Sequence, residues 1–176
     1  DKAAKLLGLG YPGGPAIEAL AAEGDPHAVP LPRPLVGSGE PHFSFAGLKS
    51  AVQRAVAACS HRPADIAASF QQAVVDCLAD RTALALRSSD APTLVVAGGV
   101  AANRQVRSAL QALAERHGRR FAVPPGWLCT DNAAMIAWAG AERFAAGLVD
   151  GLDAPARARW PLDAAAEAVR GAGVKA

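Results

Sequence analysis

TLVVAGGVAANR, residues 93–104, joins a short β-branched run to two glycines and the start of an amphipathic helix. The segment Leu94–Val96 is continuously apolar, which predicts a strand buried on both faces, as in a sheet covered by helices. Gly98 and Gly99 have no Cβ atoms, so the turn can take unusual backbone angles and a ligand can approach the main chain. The pattern predicts an α/β fold built on a strand, a tight turn and a helix.

Asn103 stands where this turn meets the helix. Its amide could cap the first helical turn or reach a ligand lying over the glycines. The alternative is an ordinary turn between strand and helix that binds nothing, because a glycine pair after a strand is a weak signal alone. The residues by themselves leave both readings open.

Composition predicts a globular domain with a sizeable core: the 176 residues are 51% hydrophobic and 19% charged. A formal net charge of +2 is too small to indicate nucleic-acid binding by itself. Three cysteines without CxxC spacing argue against a disulfide framework and a thiolate zinc site, and fit a reducing cytoplasm. No apolar run reaches the roughly 18 to 20 residues of a membrane span, so we expect a soluble cytoplasmic protein.

Apolar spacing predicts several helices and two further strands. The longest helix begins at Pro63, and its polar residues Asp65, Gln71, Asp76 and Arg81 are expected on a solvated face. The other predicted helices cover 16–23, 47–58, the segment from Asn103 to Gly118, and 132–147; the two further strands cover 43–45 and 121–123. The Pro- and Gly-rich segment 24–41 predicts a surface excursion.

Asp131 is the most informative acid, because it lies at the start of a predicted helix. A carboxylate there can cap the helix or bind a metal, but one carboxylate does not hold a metal ion. The four histidines lie far apart, and none has the i, i+4 spacing of a helical metal site. Either the remaining metal ligands come from outside this chain, or there is no metal site. The residues therefore predict an α/β lobe that could bind a nucleotide. Its polar residues at loop-to-helix boundaries are Asp1, Asn103 and Asp131.

Six blocks of sequence follow one another as in a known family. They are DKAAKLLGLGYPGGPAIE (1–18), FSFAGLKSAV (43–52), DIAASFQQAVVD (65–76), LVVAGGVAANR (94–104), LCTDNAAMIAWAG (128–140) and ARWPLD (158–163). Together they resemble the C-terminal half of the bacterial TsaD family of tRNA N6-adenosine threonylcarbamoyltransferases. The resemblance implies the two-lobed fold of the actin-like ATPase superfamily, of which this chain would be a partial second lobe with a helical insertion.

The resemblance also implies how the chain is organised. Residues 1–176 would form a single C-terminal lobe fragment, with a loop-rich helical insertion (1–42), an α/β core (43–150) and a C-terminal arm (151–176). The chain opens on Asp1 without an initiator methionine, and the family's N-terminal lobe has no counterpart in it. We therefore expect a cut inside a longer polypeptide and an inactive fragment.

By resemblance, the complete protein transfers a threonylcarbamoyl group from threonylcarbamoyl-AMP to N6 of the adenosine beside the anticodon, in tRNAs that read codons starting with A. The matching positions imply substrate contacts by Asp1, Gly14, Glu18 and Asn103. Asp131 would be one ligand of a divalent metal ion, Fe²⁺ or alternatively Zn²⁺, together with the two histidines of an HxxxH pair outside this chain.

The partners implied are tRNA, the TsaB and TsaE proteins and the missing N-terminal lobe. Two other functions stay open at this stage. One is a non-catalytic interaction module or shortened paralogue of the same fold. The other is a small-molecule kinase of the same superfamily, which would need phosphate-binding loops upstream of Asp1.

Overall fold

The computed structural model describes residues 1–40 and 42–154. Within them the helices and strands follow in the order α1 (Lys2–Leu6), α2 (Gly13–Ala21), α3 (Leu48–Ala58), α4 (Pro63–Arg87), β1 (Thr93–Val95), α5 (Arg104–Arg116), β2 (Arg120–Ala122) and α6 (Ala133–Ala145). Short 3-10 turns at Gly99–Ala102 and Gly126–Leu128 precede α5 and α6. The chain divides into a first unit, 1–132, and a second that begins at Ala133.

The strand, turn and helix predicted for residues 93–104 are confirmed. Strands β1 and β2 pair in parallel with Leu94 opposite Phe121, and the Val96 N–H donates to the Ala122 carbonyl at 2.9 Å. Helix α5 makes the crossover that a parallel pair requires. Its apolar face packs on the sheet and on the second half of α4 through Val106, Leu110 and Leu113. The α/β character of the chain therefore rests on this one crossover unit.

The expectation that β1 is buried on both faces is wrong. Val95 is 64% exposed, whereas Leu94 and Val96 pack against the core formed with α5. In the part of the chain that the structure describes, the sheet contains two strands, and one of its faces is covered. A continuous apolar run predicts two covered faces, but the described residues cover only the face of Leu94 and Val96.

Helix α4 packs against most other elements of the first unit. Pro63 occupies its first turn, where a missing N–H is tolerated. Its first half packs with α1, α2 and α3, and its second half packs with α5 and the sheet. The residues of α4 with the least exposure are small or apolar and include Ile66, Ala67, Ala73 and Cys77. Both cores of the unit thus share this helix.

Residues 24–40, here called the 24–40 loop, lie along α4. The Val29 N–H donates to the Ser69 hydroxyl at 3.1 Å, and Val29 and Leu31 are buried. Arg33 pairs with Asp76 at 2.6 Å. The predicted surface excursion is therefore wrong in part: the loop has no regular structure, but its main chain and side chains satisfy polar groups on α4.

The prediction that Arg81 lies on a solvated face of α4 is wrong, because Arg81 is only 4% exposed. Its guanidinium donates to the main-chain oxygens of Ser38 at 3.0 Å and Glu40 at 2.6 Å and pairs with Asp80. That guanidinium holds the pKa of the Asp80 carboxyl below its usual value of 3.8. Asp65, Gln71 and Asp76 are half-buried and hydrogen-bonded as well, so polar residues beside the apolar stripe mark a second contact surface.

Other predicted elements agree to within a few residues, with one exception. Helix α2 begins at Gly13 rather than at Ala16, because Pro15 suits a first helical turn. The strand expected at 43–45 is absent from the described residues; Phe43 is 57% exposed and Phe45 is 44% exposed. Alternation alone does not make a strand where no neighbouring strand offers hydrogen bonds.

Helix α6 belongs to the second unit. Its exposed apolar side chains include Ile136, Trp138 and Phe144, which are 69%, 71% and 77% exposed. The ARWPLD block at 158–163, with most of the predicted C-terminal arm, lies outside the described residues. The division at residues 42 and 150 stays a prediction. Among the helices described, none combines the length and apolarity needed to cross a bilayer.

Candidate functional site

Asp1 is tied to the glycine-rich turn that starts α2. Its carboxylate Oδ1 accepts a hydrogen bond from the Gly13 N–H at 2.9 Å. A Cβ at Gly13 would lie 2.7 Å from the Ala4 Cβ and 2.8 Å from the Asp1 Cα, so this close approach requires glycine. The acid predicted from the first sequence block and the YPGG turn therefore form one local structure.

A depression of about 280 Å³ opens beside this contact. Asp1, Lys5 and Tyr11 line it, together with main chain from the turn. Tyr11 is 89% exposed, so its ring lines the depression from the solvent side and does not belong to the core. The depression offers a carboxylate, an ammonium group and an aromatic face at one place.

Gly14 and Glu18 extend the site along α2. They are four residues apart on one helix and so lie on the same face. A Cβ added at Gly14 would meet no atom of the described residues within 4 Å, so the space above the backbone is open among them. The Glu18 Oε1 accepts a hydrogen bond from the Arg104 N–H at 2.9 Å. That bond brings α2 against the start of α5.

Asn103 is the N-cap of α5, as one of its two predicted roles required. Its Oδ1 accepts a hydrogen bond from the Val106 N–H at 3.0 Å, which satisfies one free amide of the first turn. Its Nδ2 donates to the Gln71 Oε1 at 2.7 Å. Asn103 is half-buried and adjoins Arg104, so it lies beside the Glu18 contact. Contact with a ligand stays a prediction.

Gly98 and Gly99 leave space above the turn before α5. Gly98 has a φ of 87°, a conformation that favours glycine, and a Cβ at either position would meet no described atom within 4 Å. The turn therefore presents uncovered main chain next to Asn103. The structure thus connects Asp1, Gly14, Glu18 and Asn103 through helix α2 and the start of α5.

Asp131 lies apart from these contacts. It is exposed, and among the described residues it makes no side-chain hydrogen bond or ion pair. Its two carboxylate oxygens are therefore available as metal ligands, which fits one contribution to an oxygen- and nitrogen-ligated site. Residues 1–40 and 42–154 contain no group of three or more His, Cys, Asp or Glu side chains that could hold a metal by themselves.

Sequence reasoning missed the hydrogen bond between Gln71 and Asn103 and placed Gln71 on a solvated face. The signal was the polar pair Gln71 and Gln72 beside the apolar stripe of α4, but their partners on α5 are more than 30 positions away in sequence. Cys77 is no candidate nucleophile, because burial raises the pKa of its thiol.

Comparison with known proteins identifies relatives of this chain. The family model described as TsaD, tRNA N6-adenosine threonylcarbamoyltransferase, matches residues 1–138. That range contains every site residue discussed above, from Asp1 to Asp131. It also contains the turn at Gly98 and Gly99 and the whole of α4 and α5.

Curated proteins from three bacteria match over the full chain. The protein from Sphingopyxis alaskensis is 75% identical over 177 residues, that from Novosphingobium aromaticivorans 68% over 178, and that from Erythrobacter litoralis 65% over 177. Each is named tRNA N6-adenosine threonylcarbamoyltransferase, and the match covers 100% of this chain and 51% to 52% of each relative. The chain therefore spans about half the length of these curated relatives.

Proposed function

We propose that this chain, which belongs to the TsaD family, supplies the adenylate-binding half of a tRNA N6-adenosine threonylcarbamoyltransferase. The observation that carries the proposal is the hydrogen bond from the Arg104 N–H to Glu18, which joins α2 to the start of α5. This bond supports the proposal because it joins α2 to the residue next to Asn103, and the family resemblance implies substrate contacts at both.

The proposed reaction forms a bond between adenosine N6 and the carbamoyl carbon of threonylcarbamoyl-AMP. The bond from that carbon to the phosphate oxygen breaks, AMP leaves with the electron pair, and N6 loses a proton. The acceptor is the adenosine beside the anticodon in tRNAs that read codons starting with A. Adenine N6 is a weak nucleophile, so alignment and electrostatic stabilisation carry the reaction.

The residues of this chain would bind and orient the adenylate. Asp1 and Glu18 are carboxylates that can accept hydrogen bonds from hydroxyl groups, and Glu18 keeps one oxygen beyond the contact with Arg104. Gly14 would let the ligand lie against helix α2, because no Cβ occupies the open space above it. Asn103 keeps one N–H for a ligand after its bond to Gln71.

Asp131 would be one ligand of a divalent metal ion, Fe²⁺ or alternatively Zn²⁺, with two histidines of the other half of the protein. Such a cation neutralises charge beside the carbamoyl-phosphate anhydride when it is bound. The exposed, unpaired carboxylate of Asp131 supports this assignment.

The actin-like ATPase fold is proposed for the complete protein, and the β1–α5–β2 unit supports it as one parallel crossover of that α/β architecture. The N-terminal lobe, tRNA and the TsaB and TsaE proteins are proposed as its partners. A non-catalytic interaction module is the second candidate. It is favoured by the exposed apolar side chains of α6.

Substitution of Gly14 tests the proposed site in the complete transferase. Gly14→Ala fills the open space above α2, so we expect AMP affinity and transfer from threonylcarbamoyl-AMP to fall about tenfold or more, which corresponds to about 1.4 kcal/mol. The melting temperature should not fall, since the new Cβ meets no atom of the described residues within 4 Å. Isothermal titration with AMP, a transfer assay and thermal unfolding give the three readouts.

Gly126→Ala is the matched control. Its Cβ would also meet no atom within 4 Å in the described part of the chain, and Gly126 is not among the proposed adenylate contacts. The control should bind AMP and turn over like the wild type. Unchanged AMP affinity in Gly14→Ala would remove this position from the site. A complete protein that binds AMP but transfers nothing to tRNA would favour the interaction module.

A further inference from the structure

A continuous series of side-chain amides leads from Asn103 across to α4. The Asn103 Nδ2 donates to the Gln71 Oε1 at 2.7 Å, and the Gln71 Nε2 donates to the Gln105 Oε1. The Gln105 Nε2 donates to the Gln72 Oε1 at 2.7 Å, and Gln72 donates to Asp76 at 2.7 Å. All five residues are half-buried, so these bonds are partly shielded from water.

The amide of Asn103 is held at both ends by this arrangement. Its Oδ1 is bonded to the Val106 N–H, and its Nδ2 is bonded to Gln71. The last torsion of an asparagine is broad and roughly two-fold, so an amide held at one end only can rotate and exchange donor for acceptor. With both ends bonded, the second N–H of Nδ2 remains as a donor of fixed orientation.

Gln71 is itself fixed by its bond to Gln105, in the first turn of α5. Helix α4 therefore reaches across to the same turn that Asn103 caps. Gln71 has no place among the contacts proposed for the adenylate. Any effect of Gln71 on the ligand has to pass through the Asn103 amide.

We propose that Gln71 is a positioning residue of the adenylate site, which fixes the Asn103 amide so that its second N–H stays available to the ligand. This inference rests on the proposed function, because it requires Asn103 to contact the adenylate. It assigns a role to the first glutamine of the FQQ sequence at 70–72, on a helix that otherwise serves the core.

Two matched substitutions in the complete transferase test the assignment. Gln71→Met keeps the length of the side chain but removes the acceptor for Asn103, so AMP affinity should fall about fivefold to tenfold, the range of one neutral hydrogen bond. Gln72→Met breaks the same series beyond Gln105 and leaves the Asn103 contact intact. Its AMP affinity should stay within about twofold of the wild type.

Rescue and stability complete the test. Gln71→Glu restores an acceptor for Asn103 and should recover most of the AMP affinity, measured by isothermal titration. KM for threonylcarbamoyl-AMP should rise in Gln71→Met with little change in kcat, because binding rather than chemistry is affected. Both methionine variants should lose similar thermal stability. Equal losses of AMP affinity in both, or no recovery in Gln71→Glu, would overturn the positioning role.

Asn103→Ala separates this inference from the proposed function. If Asn103→Ala leaves AMP affinity unchanged, the adenylate site is wrong and the role of Gln71 falls with it. If Asn103→Ala weakens AMP binding while Gln71→Met does not, the site stands and the positioning role alone is overturned.

Discussion

Arg81 carries its charge inside the first unit, bonded to main-chain oxygens of the 24–40 loop and to Asp80. A buried guanidinium is stable only when its donors are satisfied, and here the loop satisfies them. The residue therefore serves as an anchor for a segment without regular structure. No predicted site residue touches it, which places its role in stability.

Arg81→Met should lower the free energy of unfolding by about 2 to 4 kcal/mol, because the carbonyls of Ser38 and Glu40 and the carboxylate of Asp80 lose their partner. Denaturant unfolding measures the change. Arg87→Met, at the exposed end of the same helix, is the matched control and should stay within about 0.5 kcal/mol of the wild type. Equal effects of the two substitutions would contradict the anchoring role.

At the scale of elements, α2 and α4 are held close together at the start of the 24–40 loop. A Cβ at Gly24 would lie 2.0 Å from the carbonyl oxygen of Ala64, in the first turn of α4. The Asp25 N–H donates to the Asp65 carboxylate at 3.0 Å in the same place. The neighbouring guanidinium of Arg62 holds the pKa of that carboxyl below its usual value.

Gly24→Ala should therefore destabilise the chain by about 1 to 3 kcal/mol, since backbone and not a flexible side chain has to move. Thermal or denaturant unfolding gives the magnitude. A chain of unchanged stability would mean that the loop start relaxes freely. Gly126→Ala, whose Cβ meets no atom within 4 Å, separates steric conflict from any general effect of replacing glycine.

Helices and strands could be predicted from the sequence where the pattern that indicates them lies within the element itself. The 3.6-residue period located α4 and α5 because their apolar residues meet a core. The same period misassigned Arg81 and Gln71 to solvent, because their partners are a loop and a helix more than 30 positions away. Asn103 was indicated by the local pattern and by family resemblance, and Glu18 by family resemblance alone. The hydrogen bond that connects their helices has no local sequence signal.

At the scale of the whole molecule, each of the two units exposes large apolar side chains. Val95 on β1 is 64% exposed, and the second unit exposes Ile136 and Trp138 on α6. The parallel pair of strands also leaves the outer edges of both β1 and β2 unpaired within the residues that the structure describes. Surface of this kind favours association with another polypeptide.

We expect the isolated 176-residue chain to self-associate at micromolar concentrations and to show no transferase activity. Sedimentation velocity over a concentration series measures the association. Addition of the separately expressed N-terminal half should reduce it and restore part of the activity with threonylcarbamoyl-AMP and tRNA, because that half supplies the missing groups. A monomeric, cooperatively folded and active chain would contradict this expectation.

The bond between Glu18 and the Arg104 N–H joins positions 86 residues apart. The two parts of the proposed adenylate site, α2 and the start of α5, meet only after the segment between them has folded around α4. The unfolded chain therefore holds no binding site. The ligand is then linked to the folding equilibrium by mass action: at a hundred times its Kd, an adenylate would add about 2.7 kcal/mol to the stability of the folded state. The bound substrate would thus stabilise the folded form of the unit that binds it, and this stabilisation would be lost when the substrate dissociates.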